Sequence, residues 1–575
     1  MNALLLIVAL AAPIVYLEGS DFAGGAASLF GAYHHGEGPV NYVYAASTGA
    51  RSTMSASFQA ERSASGLFLY MRARDDDAPR PCKITILLNE TILHDGPSGF
   101  PDNAWAVRRF AVPDGALKVG DNRLTIRCAE AQGTAGMPPW FMVARAAIAP
   151  DGYELRRDLR RDFRVTLDER VSPGLTIPAK AREADGGSAR FAFRGMKGWL
   201  WKPEQYLAEI PWIARYRMNF LMNCYGSMCD IEHYRWGDPH INRWWEPLPE
   251  GKRRAYEKVV AACKKAGITF CFSMNPNICT QRIVRYGSDE DMDLLWQHYA
   301  WMQSLGVRWF NISLDDITEG IDASGQARMV NAILRRLRQR DPGAQMIFCP
   351  TFYWGDGTGA EQRPYLETLA RELDPDVYLF WTGDSVVGRI TTAAARTFRR
   401  IGGHRLFLWD NYPVNDANPT MHLGPVIGRD PDLHTVIEGY MANPMHSQNE
   451  INRIPLYTCA DYAYHPDTYD PERSIGEAIA AQTGSREGRE ALRDLVECYP
   501  GMLIWGAAST AVNPVRERFL RIMAMPHGAP VARAYLESLK ALARRLDRAF
   551  PRSYAAARRT LRADIDALMK MLKSR

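Results

Sequence analysis

Between residues 307 and 316 the chain reads VRWFNISLDD, an apolar run of β-forming residues that ends on two adjacent carboxylates, Asp315 and Asp316. Alone, such an ending fits a polar loop or a helix N-cap, where aspartate is common. Repetition gives it weight. Seven further short apolar runs flank it: FAFRGMKG (191–198), NFLMNCYG (219–226), ITFCFSMNP (268–276), QMIFCPTFY (345–353), DVYLFWTG (376–383), RLFLWDNYP (405–413) and HTVIEGYMANP (434–444). Stretches between them, such as GKRRAYEKVVAACKKAG, DEDMDLLWQHYAWMQSLG and GQARMVNAILRRLRQRDP, place apolar residues at helical spacing and stop at Gly or Pro. Short strands alternating with helices make parallel βα units. Eight units in about 250 residues predict a (β/α)8 barrel over 190–475 rather than an open sheet.

On the amino-terminal side the pattern differs. From 14 to 150, GLFLYMRAR, KITILLNETIL, AVRRFAV, NRLTIRC and WFMVARAAIA are separated by Gly, Asp, Asn and Pro, with little helical periodicity. This predicts a β-sandwich, a module that serves either as a carbohydrate binder or as a spacer. A charged and polar segment over 151–189 reads as a linker. After about residue 476 the strands stop, and Ala-, Leu- and Arg-rich stretches at helical spacing predict a helical domain to residue 575. From Val531 onward it carries twelve Lys or Arg against four Asp or Glu, which reads first as a solvated basic face. The fold class is therefore a multidomain α/β chain with a central (β/α)8 barrel.

Composition excludes several classes of function. With 46% hydrophobic and 23% charged residues over 575 positions, neither disorder nor a fibrous repeat fits. The net charge of +5 is small for this length, and no zinc-finger, RRM or helix-turn-helix signature is present, so a nucleic-acid partner is not expected. The apolar run in MNALLLIVALAAPIVYLEGSDF is long enough for a signal h-region and too short for a membrane span. Residues 1–13 thus read as a signal peptide, giving a secreted or periplasmic protein, with a first buried strand as the alternative. Ten cysteines show no zinc-type spacing, and no metal or cofactor is expected; Cys82 and Cys128, both on strand-like runs, would be placed to pair in an exported protein.

A barrel of this kind carries its active site at the carboxyl ends of its strands. Those ends are rich in amides, carboxylates and aromatics: Asp315 and Asp316, Tyr353 and Trp354, Trp381 and Thr382, then Trp409, Asp410, Asn411 and Asp416, and finally Asn443. Sugars need such partners, because hydroxyls demand hydrogen bonds and the apolar ring face stacks on an aromatic. No phosphate-cradling glycine loop, GxSxG elbow or HExxH helix appears. Two close carboxylates repel, which leaves one protonated beside an ionised neighbour, the equipment of a glycosidase.

The motifs SLDDI, CPTFY, WTG, WDNYPVND, LGPVIGRDPDL, NPM and IPLYT, in that order, resemble glycoside hydrolase family 84, the β-N-acetylglucosaminidases that include the O-GlcNAc-removing and hyaluronidase-named enzymes. The resemblance covers roughly 190–475. It implies retaining hydrolysis in which the substrate's 2-acetamido oxygen is the nucleophile and an oxazoline forms. Asp315 would then orient the acetamido N–H, and Asp316 would act as acid and base. Tyr353 would hold the acetamido group, Asp416 and Asn443 would bind ring hydroxyls, Asn411 and Trp381 would line the pocket, and the Gly198 carbonyl would face the sugar. Two motifs depart from the family's pattern. Lys197-Gly198-Trp199-Leu200-Trp201 stands where the family has Glu-Gly-Phe-Tyr-Gly, and residues 223–230 lack the pocket lysine that follows its second strand. The expected partner is a glycan or glycoprotein substrate, most simply one with terminal β-linked N-acetylglucosamine. The alternatives are a different 2-acetamido sugar and a catalytically silent glycan-binding protein. Oligomeric state is not legible.

Overall fold

Each of the eight apolar runs forms a strand, and together they close a parallel barrel: β12 (Phe193–Lys197), β13 (Phe220–Met222), β14 (Thr269–Met274), β15 (Trp309–Ser313), β16 (Gln345–Cys349), β17 (Tyr378–Trp381), β18 (Leu406–Pro413) and β19 (Ile437–Asn443). Pairing of β12 with β19, Phe193 opposite Gly439, shuts the ring. The computed structural model describes residues 13–27, 40–75, 81–102, 104–133, 138–155, 177–179, 181, 188–416, 420–446, 449–499, 513–523 and 528–573. The expected leader over 1–13, apart from Pro13, and most of the expected linker over 151–189 lie outside these residues.

Seven of the eight strands are followed by an α-helix; between β18 and β19 the described residues hold only a short 3-10 turn, Leu433–Thr435. The helix boundaries follow local chemistry. Helix 289–304 starts where the Ser288 side chain accepts the Asp291 N–H, and helix 392–402 starts at the equivalent cap by Thr391. The latter stops at Gly403, whose φ of 72° suits a residue without Cβ.

The barrel interior is layered. At the strand beginnings, Phe193, Phe220, Trp309, Tyr378 and Phe407 form a plug of rings with centroids 4.6–6.5 Å apart. Gly439 makes room for it, since a Cβ there would lie 2.3 Å from the Phe407 ring. Above the plug lies a polar layer. The Ser273 hydroxyl donates to Asn311 Oδ1, the Asn311 amide donates to the Ile347 carbonyl, and Asn223 exchanges two hydrogen bonds with the Ser273 backbone. Trp309, Asn311 and Ser313 alternate along β15, so this inward-facing column leads directly to Asp315.

The amino-terminal strands are β1 (Val15–Glu18), β2 (Ala23–Gly24), β3 (Ala26–Ala27), β4 (Asn41–Tyr44), β5 (Thr53–Ala60), β6 (Leu67–Asp75), β7 (Lys83–Leu88), β8 (Thr91–Pro97), β9 (Ala106–Val112), β10 (Gly120–Cys128) and β11 (Trp140–Pro150). They make two antiparallel sheets, β3-β4-β11-β6-β9 with β1 beside β11, and β2-β5-β10-β7-β8. Both sheets contribute to one buried core, in which the Cys82 and Cys128 sulfurs lie 3.5 Å apart. β11 is buried on both faces, which explains why WFMVARAAIA is continuous rather than alternating. Phe141, Val143, Ala146 and Ile148 enter the sandwich core; Trp140, Met142 and Ala144 join an apolar cluster with the carboxyl-terminal helices. A bulge between Val143 and Arg145 accounts for the change of phase along the strand. Helices 486–498, 514–523, 528–549 and 555–573 follow the barrel, and no helix among the described residues is long and apolar enough to cross a membrane.

Candidate active site

Asp315 and Asp316 lie just past β15, where the Leu314 N–H still bonds to the Cys349 carbonyl. Consecutive residues of an extended chain point to opposite faces, so regular backbone would send Asp316 away from Asp315. The chain avoids this by placing Asp316 at φ 57°, in the left-handed region that aspartate tolerates better than most residues. Two like charges are thereby brought to the same mouth.

Their surroundings differ. Asp315 is buried, its Oδ2 accepting the Tyr225 hydroxyl at 2.7 Å and its backbone carbonyl accepting the Asn275 amide at 3.0 Å. Asp316 keeps a face open to solvent although protein walls its other sides, and its Oδ1 accepts the Tyr353 hydroxyl at 2.8 Å. Burial raises the Asp315 carboxyl well above the ordinary range, and the neighbouring Asp316 raises it further, against the opposing pull of Lys197 and the Tyr225 hydrogen bond. Asp316 is raised as well, first by desolvation, with Tyr353 and Lys197 opposing and Asp416 adding repulsion. Its open face makes this the smaller effect. Such a pair holds one proton between two unequal carboxyls.

The other expected residues divide. Asn443 donates to Asn411 Oδ1 at 3.0 Å, and Asn411 donates to the Val386 carbonyl at 2.8 Å; the buried Asn443 Oδ1 has no hydrogen-bond partner among the described residues. Asp416 sits exposed and close enough to Asp316 to repel its charge. Two residues are not arranged as expected. The Gly198 carbonyl accepts both the Tyr206 hydroxyl and the Trp201 N–H, so its lone pairs serve the strand-to-helix turn rather than a sugar. Trp381 is fully buried, donates its indole N–H to the Gly355 carbonyl and packs on Phe398 of helix 392–402, in the layer between barrel and helices. On β18 it is Trp409, two residues from Asn411, that turns inward, beside Lys197 and Tyr225.

Several residues of the site had no role in the leading reading of the sequence, although Lys197 and the loop after the second strand were expected to supply contacts if the sugar differs. Tyr225 and Asn275 hold Asp315, and Lys197 lies among Trp199, Tyr225 and Trp409. All of them stand at or just beyond strand ends, so the rule that found the aspartates could have found these too. Among the described residues no cluster of three or more His, Cys, Asp or Glu is placed to hold a metal ion.

Comparison with known proteins gives concordant results. The sequence profile of a family described as beta-N-acetylglucosaminidase matches residues 194–497. Protein O-GlcNAcase of Rattus norvegicus is 24% identical over 308 residues, covering 51% of this chain and 32% of the relative. That of Mus musculus is 24% identical over 321 residues, covering 52% and 33%. The chain therefore matches about a third of the length of these curated relatives. A solved mutant of the O-GlcNAc hydrolase of Thermobaculum terrenum shares the fold, with a TM-score of 0.54 at 24% identity over 67% of this chain and 82% of that one.

Proposed function

The chain belongs to the β-N-acetylglucosaminidase family of glycoside hydrolases, and on that premise we propose that it is a retaining exo-glycosidase releasing terminal β-linked N-acetylglucosamine from glycans or glycoconjugates, with the acetamido group of the substrate as nucleophile. The observation that carries this proposal is the unequal setting of two consecutive aspartates. A buried carboxylate suits an orienting role, since it need not exchange protons with water. An acid that must be reloaded and then deprotonate water needs the open position, which Asp316 has.

In this scheme the acetamido N–H donates to Asp315, which favours the ionised form there and leaves the shared proton on Asp316. The acetamido oxygen attacks the anomeric carbon, the glycosidic C–O bond breaks, and Asp316 protonates the departing oxygen. Asp315 takes the acetamido N–H proton, so a neutral oxazoline remains. Asp316, now a carboxylate, takes a proton from water, which adds to the anomeric carbon from the face the leaving group vacated, while Asp315 returns its proton to the nitrogen and the acetamide is restored. Two displacements on one carbon retain its configuration. In the same scheme Tyr353, bonded to Asp316, also steadies the acetamido group, and the unpartnered Asn443 Oδ1 accepts a ring hydroxyl.

The test is release of a chromogenic phenol from its N-acetyl-β-glucosaminide. Asp315→Asn and Asp316→Asn should each lower kcat/KM by at least about a hundredfold, the usual worth of a positioned acid or base. The loss at Asp316 should shrink as the leaving phenol becomes more acidic. A thiazoline mimic of the oxazoline should inhibit; full activity in its presence overturns the mechanism. A second reading, a pocket for a differently substituted 2-acetamido sugar, is favoured by Lys197 and by the engaged Gly198 carbonyl; turnover of such a substrate in place of the glucosaminide would select it.

A further inference from the structure

The amine of Lys197 is the least conventional group in the pocket. It ends the inward column of β12, is fully buried, and its Nζ donates to no acceptor among the described residues. Aromatic faces stand in for an acceptor: Nζ lies 3.6 Å from the ring centre of Trp409, 5.0 Å from Trp199 and 5.2 Å from Tyr225. Three rings around one amine form a cation-binding cage, because each ring presents its negative face to the charge and the site is desolvated.

The groups that face it come from every neighbouring strand end. Asp315 and Asp316 after β15 are the acids on which it acts, and Cys349 of β16 feels all three charges. Tyr225 after β13 and Tyr353 after β16 are hydroxyls whose deprotonation burial opposes, so they remain donors to the carboxylates. Asp416, after β18, repels the charge of Asp316. The charge of Lys197 favours the ionised form of both aspartates.

We propose that Lys197 is a positioning residue whose caged ammonium holds the Asp315–Asp316 pair in its singly protonated form without binding either carboxylate. The cage is what makes this possible. A direct ion pair would tie the ammonium to one oxygen, fixing the proton on the other aspartate and opposing the shift of charge from one to the other. Held on the ring faces, the ammonium lowers the cost of one buried negative charge wherever that charge resides, so the charge can pass from Asp315 to Asp316 during a turnover. This inference rests on the acetamido-assisted reading.

The test does not need turnover. Infrared difference titration of the protein labelled with 13C-carboxyl aspartate follows the protonated C=O band of the pair, identified by its loss in Asp315→Asn and Asp316→Asn. In Lys197→Met, which keeps the length of the stem, that band should persist to higher pH by about one unit or more, the usual effect of removing an adjacent opposite charge. Both limbs of the kcat/KM profile should move the same way. An unmoved band in folded Lys197→Met overturns the inference, whether or not the glucosaminide is a substrate; a wild-type chain inactive on it, with the band shifted as expected, counts instead against the proposed function. Should Lys197→Met not fold, Trp409→Leu opens the cage and lets the ammonium close on a carboxylate, moving the band to lower pH. No shift there overturns the inference equally.

Discussion

Asp316 shows how much one backbone angle can decide. At φ 57° it sits in a region that costs a typical L-residue about 1–2 kcal/mol, a cost that aspartate and asparagine bear more easily. Function and stability then pull in opposite directions at this pair, because both carboxyls are raised first by burial, Asp315 further by Asp316 and Asp316 further by Asp416. A raised carboxyl binds its proton more tightly in the folded protein than in the unfolded chain. Its contribution is fully present below the unfolded value of about 4 and is lost as pH rises through the folded value. Asp315→Asn is neutral at every pH and escapes that loss. We expect its melting temperature relative to wild type to improve steadily from pH 4 toward neutrality, followed by calorimetry across that range. A difference independent of pH would mean that the ionised pair carries no stored cost.

Along β18 the residues Trp409, Asp410 and Asn411 look equally suited to a sugar, and only strand parity separates them. Trp409 and Asn411 face the pocket, whereas Asp410 faces outward, fully buried, and accepts Arg429 Nε at 2.9 Å and the Tyr440 hydroxyl at 2.7 Å. Arg429 belongs to the LGPVIGRDPDL stretch, so that motif serves to hold a strand rather than a substrate. Arg429→Met should leave an unpaired buried carboxylate and cost about 3–5 kcal/mol, read by chemical denaturation, while the KM of the folded fraction stays near wild type. A large rise in KM at unchanged stability would place Arg429 in the pocket instead. The same parity explains what was legible beforehand. Eight apolar runs between helical stretches sufficed for the barrel, and the strand-end rule led to Asp315, Asp316 and Tyr353, which the fold brings to one mouth. Which of two neighbours turns inward depends on how the ring closes, a property of all eight strands together, and so Trp381 was expected to line the pocket while Trp409 was counted only among the strand-end residues. Nor does composition reveal a left-handed φ at Asp316 or the engagement of the Gly198 carbonyl by Tyr206.

The sandwich is more than a spacer in this architecture. Tyr42, Tyr44, Trp140 and Met142 on its outer face share one buried cluster with Ile475, Leu492 and Leu539 of the helices, and with Met421, Leu423 and Met445 from the segments around β19. Polar links reinforce it. Arg51 reaches Asp470 and Glu472 at the start of helix 471–480, and the Trp201 indole donates to the Met445 carbonyl at 2.9 Å. Asn443 is only two residues from Met445, and Asp416 only five from Met421, so the amino-terminal module abuts the segments that carry both sugar-binding candidates. Trp140→Ala removes a fully buried ring at this junction and should cost about 3–5 kcal/mol. If the modules melt as one unit, the temperature at which hydrolysis is lost will fall with the melting of the sandwich, and KM will rise below that temperature as the loops loosen. Should calorimetry instead show an early sandwich transition while activity persists to the wild-type temperature, the barrel stands alone and the sandwich only adjoins it. We expect the first result, because the apolar cluster is continuous from β11 through the helices to the rim of the barrel.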